Sequence, residues 1–155
     1  MASNTSVPDP VDICDRLRAG QITRSAAEMQ ALAGELGRSL PPDTVLALHG
    51  NLGVGKTTFI QGLARGLGIR ESVTSPTFTV FTLHRGGRAT LVHLDAYRLD
   101  RPDQIDALML EDFLVSPWCL AVEWPEKISS WIPPTAWHFD LGILPDETHT
   151  VQLRS

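Results

Sequence analysis

The sequence predicts a single α/β domain built on a mixed, mostly parallel sheet flanked by helices and extended by antiparallel hairpins. Three observations predict it. Residues 45–48 form a short apolar run of strand length that leads through a glycine-rich loop into residues 57–67, where Phe59, Ile60, Leu63, Ala64 and Leu67 recur at helical spacing. Two further apolar runs, 91–94 and 118–122, are of buried-strand type, and each ends in a carboxylate, Asp95 and Glu123. Two pairs of β-prone segments are joined by turn residues, Gly86-Gly87 in one and Pro145-Asp146-Glu147 in the other.

Composition bounds what surrounds these elements. At 155 residues, 43% hydrophobic and 20% charged, the chain is long enough for one domain with a real core. We divide it into residues 1–20, an N-terminal segment that is mobile or without assignment, and residues 21–155, the folded domain. The net charge of -5 comes with no run of lysines or arginines able to track a nucleic-acid backbone. Any RNA is therefore expected to be gripped by another protein. Cys14 and Cys119 have no metal-ligand spacing, and Cys119 lies in an apolar run as a small hydrophobe. With neither a leader-like N-terminus nor a membrane-length apolar stretch, the expected location is the cytoplasm.

Residues 1–10 are polar and proline-bearing, and residues 11–20 carry too weak a pattern to assign. From 25 to 40 a helix is expected: Ser25 and Glu28 have capping-box spacing, and Ala26, Met29, Ala33, Leu36 and Leu40 share a face before Pro41-Pro42 stops it. Such a helix covers one face of the sheet or packs near a bound base. The loop that follows the first strand fits G-x-x-x-x-G-K-[ST] at Gly50, Gly55, Lys56 and Thr57. Gly50, Gly53 and Gly55 allow backbone conformations in which successive N–H groups converge on an anion, and the helix that starts there adds its positive end. Lys56 is placed to reach the outer phosphates and Thr57 to hold magnesium, so the motif predicts a nucleoside triphosphate with Mg2+.

After Gly68 the chain reaches residues 73–78, a polar loop stiffened by Pro76. It is either a switch-like loop with Thr77 as sensor of the terminal phosphate, or a turn whose hydroxyls bond their own backbone. Residues 78–84 and 89–94 are expected to pair as an antiparallel hairpin. Asp95, at the end of the second, is either a helix cap or a member of a magnesium shell beside the phosphates. His93 shares its face as a packed or hydrogen-bonded support. Pro102 opens a helix expected over 103–114, with Ile105, Leu108, Met109 and Phe113 on its apolar side. Glu123 ends the next strand, and Asp95 and Glu123 are the expected acidic pair for the metal and the attacking water. Residues 137–144 and 148–153 read as a closing hairpin at the sheet edge.

Taken together, the elements Gly50-Asn51-Leu52-Gly53-Val54-Gly55-Lys56-Thr57-Thr58, Ser75-Pro76-Thr77-Phe78, His93-Leu94-Asp95-Ala96-Tyr97-Arg98 and Glu123-Trp124 resemble those of the TsaE family of small bacterial ATPases from tRNA threonylcarbamoyladenosine biosynthesis. The resemblance runs from about Ser25 to Trp124. It implies a P-loop NTPase domain that uses ATP and Mg2+ and works with two partner proteins. These make threonylcarbamoyl-adenylate and transfer its acyl group to the adenosine beside the tRNA anticodon. It further implies ATP binding by Asn51, Leu52, Gly53, Val54, Gly55, Lys56, Thr57 and Thr58, with Thr57 and Glu123 around magnesium. Asp95 would be the acid of the hydrolytic site and Thr77 part of a switch-like loop, with Tyr97, Arg98 and Trp124 in support.

Two other classes share the loop. A GTPase would carry an N-K-x-D stretch, and the sequence has no Asn-Lys pair. A small-molecule kinase, the alternative reading, would normally carry an arginine-bearing lid, whereas Arg85, Arg88, Arg98 and Arg101 all lie in short connections. A module that binds ATP without hydrolysing it is the other alternative. No arginine in the motifs is clearly placed to reach a terminal phosphate. The chain alone is therefore expected to be a weak ATPase that a partner stimulates, either by supplying an arginine or by ordering the loop around Thr77.

Overall fold

In the computed structural model, which describes residues 10–74 and 80–154, the chain runs α1 (Pro10–Ala19), β1 (Gln21–Thr23), α2 (Ala26–Ser39), β2 (Thr44–His49), α3 (Lys56–Gly66), β3 (Phe81–His84), β4 (Thr90–Asp95), α4 (Gln104–Ala107), β5 (Trp118–Glu123), β6 (Trp137–Ile143) and β7 (His149–Leu153). Short 3-10 turns occupy Ala96–Arg98, Leu110–Asp112 and Pro125–Ile128. The strands form one sheet in the order β1-β7-β6-β2-β5-β4-β3. β2 lies in the middle, parallel to β5 and β6, and β4 lies parallel beside β5. β3, β7 and β1 are added antiparallel. The four parallel strands consequently end on one edge, where the glycine loop leaves β2.

Alternation along β2 sends Leu46 and Leu48 to a core shared with Met29, Leu36, Phe59, Ile60 and Leu63 of α2 and α3. Val45 goes to the opposite core, with Val92, Leu94, Leu120 and Val122 under Ile105, Leu110 and Ile128. α2 begins as its sequence predicts: Ser25 Oγ accepts from the Glu28 amide at 3.1 Å, while the Glu28 carboxylate accepts from the Arg24 amide at 2.8 Å. α2 and α3 pack backbone to backbone. A Cβ at Gly62 would lie 2.4 Å from the Gln30 carbonyl oxygen, and one at Gly66 would lie 2.3 Å from that of Gly34. That seam fixes the axis of α3 and with it the position of Lys56 at its first turn.

Three expectations are corrected. Residues 11–20, left without assignment, fall in α1 and the turn after it, and Ile13 and Leu17, one helical turn apart, are buried in the same core as α2 and α3. The hairpin of β6 and β7 is not at the sheet edge. β6 lies directly beside β2, because Phe139 and Leu141 bury against the α3 side, with the Phe59 and Phe139 rings 5.3 Å apart. The three-residue β1 takes the outer position instead. The helix expected over 103–114 is broken: α4 has four residues, Met109 is left-handed at φ 53 and exposed, and a 3-10 turn follows. Ile105 and Leu110 both reach the core, although five residues apart they would face well away from each other on a continuous helix. Among the described residues no helix is long and apolar enough to cross a membrane.

Candidate active site

The loop from Gly50 to Gly55 turns back on itself to start α3. Gly50 (φ 149) and Gly55 (φ 103) are left-handed. At Gly50 there is also no room, since a Cβ would lie 2.6 Å from the Leu141 carbonyl oxygen. Gly55 is the N-cap of α3 and supplies no side-chain cap, so no side chain at that position competes for the first helical amides.

Lys56 is 4% exposed. Its Nζ donates to the Gly50 carbonyl at 2.7 Å and lies 3.8 Å from the centre of a Trp124 ring. Burial pulls the Lys56 pKa below the ordinary lysine value, against the opposing effects of Glu123, Glu126 and Asp95. Three acids thus lie within electrostatic reach of one desolvated cation. The Trp124 ring also packs on Tyr97, with centroids 5.0 Å apart. Trp124 itself is left-handed at φ 57, turning the chain out of β5 into Pro125.

The two strand-ending acids are register partners on β4 and β5. They differ in surroundings. Glu123 is 5% exposed and its Oε2 lies 2.6 Å from His93 Nε2, whereas Asp95 is half-buried and its Oδ1 accepts from the Tyr97 amide at 3.0 Å. Asp95 thereby caps the 3-10 turn Ala96–Arg98. The cap and the acid are one residue, so the two readings of Asp95 are compatible.

Leu52, Gly53, Gly55, Lys56, Thr57 and Thr58 on one side, and Asp95, Tyr97, Arg98, Glu123 and Trp124 on the other, line a cleft of about 530 Å³. All of these were named from the sequence. Of the others named there, Asn51 is exposed on the loop, Val54 is buried beneath it, and His93 stands behind Glu123. Thr77 lies outside the described residues.

Two features were not read from the sequence. His149 on β7 is 2.8 Å through Nδ1 from the Val54 carbonyl oxygen, holding the underside of the glycine loop. No motif marked it, because the contact exists only once β7 is folded beside β6. Arg98, expected only as a support, lines the cleft and brings an arginine there within the chain.

These groups suit a magnesium–triphosphate. Among the described residues no group of three or more His, Cys, Asp or Glu side chains is placed to hold a metal alone. Thr57, Glu123 and Asp95 border the same cleft as Lys56 and offer oxygen donors, the kind magnesium takes when phosphate oxygens and water complete its shell.

The fold and the loop define an α/β P-loop protein. The family model for threonylcarbamoyl adenosine biosynthesis protein TsaE matches residues 23–151. The chain is 36% identical over 125 residues to the tRNA threonylcarbamoyladenosine biosynthesis protein TsaE of Treponema pallidum (strain Nichols), covering 81% of this chain and 92% of that one. It is 38% identical over 111 residues to the protein of the same name from Bacillus subtilis (strain 168), covering 72% and 69%. A crystal structure of Bacillus subtilis YdiB superposes with a TM-score of 0.72 at 30% identity, covering 85% of this chain and 81% of that chain. This chain belongs to the TsaE family, whose work is threonylcarbamoyladenosine biosynthesis in tRNA.

Proposed function

We propose that the chain binds ATP with Mg2+ and hydrolyses it in the cytoplasm, in concert with the two other proteins of a tRNA threonylcarbamoyl-transfer complex. They modify the adenosine next to the anticodon, and the chain itself meets tRNA only indirectly. The observation that carries this reading is the convergence of Lys56, Thr57, Asp95 and Glu123 on one cleft at the ends of β4, β5 and the glycine loop.

In this account the loop amides and the α3 N-terminus hold the phosphate chain, and Lys56 exchanges the Gly50 carbonyl for outer phosphate oxygens. Magnesium, held by Thr57 and Glu123, would neutralise charge on those oxygens. Asp95 orients the attacking water and accepts its proton, and Arg98 supplies positive charge from the opposite wall. Leu52, 86% exposed, and Tyr97, 58% exposed, leave an apolar rim on the cleft that favours closure by a partner. We therefore keep the expectation of partner stimulation while moving its cause from a missing arginine to closure of the cleft.

Lys56→Ala tests the placement of the nucleotide. Charge-assisted bonds contribute about 1.5–3 kcal/mol, so calorimetry should show ATP affinity lowered about tenfold or more. Unchanged affinity would place the nucleotide elsewhere. Titrating the partner proteins, with and without tRNA, into a phosphate-release assay should raise turnover, and rapid turnover indifferent to them would favour a self-contained enzyme.

A further inference from the structure

His93 sits in the interior of β4, completely buried, at a position where an apolar side chain would fit the pattern of its neighbours. Its register partner on β5 is Ala121, which makes Glu123 its diagonal neighbour two residues on. The imidazole Nε2 is 2.6 Å from Glu123 Oε2, while Nδ1 is buried with no hydrogen-bond partner among the described residues. A buried polar atom left unpaired costs free energy that an aliphatic residue would not incur. Among the described residues the one polar contact of this ring is the carboxylate, and an ionised carboxylate only accepts, so Nε2–H is the donor.

We propose that His93 is a positioning residue for Glu123. Its Nε2–H fixes one carboxylate oxygen and holds the side chain in a single orientation at the cleft wall, so that the carboxylate meets magnesium without first being ordered. This rests on the reading of the cleft as a magnesium–nucleotide site. It adds that the metal affinity of that site depends on a residue outside the cleft lining, as outer-shell donors commonly govern metal affinity by about 10–100-fold.

The test compares His93→Gln, whose amide nitrogen replaces Nε2, with His93→Met, which has similar reach and no donor. ADP binding is measured by calorimetry across a range of Mg2+ concentrations, beside thermal melting of the free proteins. His93→Met should raise the half-saturating Mg2+ concentration about tenfold or more and leave metal-free ADP affinity unchanged. Melting of the free proteins checks that both variants fold; His93→Gln should stay close to the native Mg2+ dependence. Native Mg2+ dependence in His93→Met, or equal impairment in both variants, would overturn the proposal.

Glu123→Gln run in parallel separates the two readings. If it alters the Mg2+ dependence and His93→Met does not, positioning alone fails; if neither alters it, the metal role of Glu123 fails and positioning falls with it. Should His93→Met not fold, 15N NMR of the native imidazole decides: Nε2 carries the proton if the proposal holds, and an unprotonated Nε2 overturns it.

Discussion

The ends of β4 and β5 carry the same sequence signal, an apolar strand closing in a carboxylate, and fold into different chemistry. Glu123 is buried and shares a short hydrogen bond with His93, with Lys56 close enough to feel its charge. Asp95, its register partner, is half-buried and already engaged in capping the turn that follows. A charge in the buried position acts through a low effective dielectric and is held in place, whereas one at the rim is damped by water and freer to exchange partners. In the function we propose, position in the sheet, more than residue type, would assign the buried acid to metal placement and the rim acid to proton and water handling.

The largest effect is expected at the buried end. Glu123→Gln keeps the volume and removes the charge, so ATP hydrolysis should fall about a thousandfold, at the upper end of what one transition-state electrostatic contact supplies, with nucleotide binding much less affected. Hydrolysis at the native rate in a phosphate-release assay would remove the distinction between the two acids. Asp95→Asn should lower hydrolysis by about a hundredfold, the lower range for a positioned proton acceptor, because solvent reaches this site.

Comparing Asp95→Asn with Asp95→Ala sharpens the double duty of the rim acid. Asn still accepts from the Tyr97 amide, so only Ala should lose a further 1 kcal/mol or so of stability, read by denaturant unfolding. Equal stabilities would mean that the cap contributes nothing.

The smallest effect concerns the third strand end on this edge, His49 of β2. Its Nε2 lies 2.8 Å from His138 Nδ1 on β6. Burial first, then Arg154, holds both imidazoles below their ordinary pKa. Neutral rings are thus favoured in the fold. Their contribution is fully present above about pH 6.5, the ordinary imidazole value, and is lost as pH falls from there through the depressed values. The double variant His49→Gln, His138→Asn keeps amide partners that do not titrate. Its melting temperature should fall less between pH 7.5 and 5.5 than that of the native chain, and parallel curves would contradict this.

What could be read from the sequence follows the physics of each element. The glycine loop, α2, α3 and the strands ending in Asp95 and Glu123 are locally encoded, by caps, periodicity and backbone demands. Of the cleft lining, Gly53, Gly55, Lys56, Thr57, Asp95 and Glu123 were visible in that way, whereas Leu52, Thr58, Tyr97, Arg98 and Trp124 were named through the family resemblance. Elements defined by distant partners were not. Among the described side chains of α1 only Ile13 and Leu17 are buried, and β1 is three residues long, pairing with a strand at the other end of the chain. The apolar spacing over 103–114 favoured a helix that Met109 interrupts so that Ile105 and Leu110 can both be buried. His149 gains its contact with the loop only through the placement of β6 against β2.

A crystal structure of the chain with magnesium and a non-hydrolysable ATP analogue tests the division of labour between the two strand ends most directly. The account predicts magnesium at about 2.0–2.1 Å from the Thr57 hydroxyl and a Glu123 carboxylate oxygen. His93 should still be bonded to Glu123, Lys56 moved from the Gly50 carbonyl to the phosphates, and Asp95 beside the water in line with the terminal phosphate. A metal bound by Asp95 with Glu123 uninvolved, or a nucleotide outside this cleft, would contradict it.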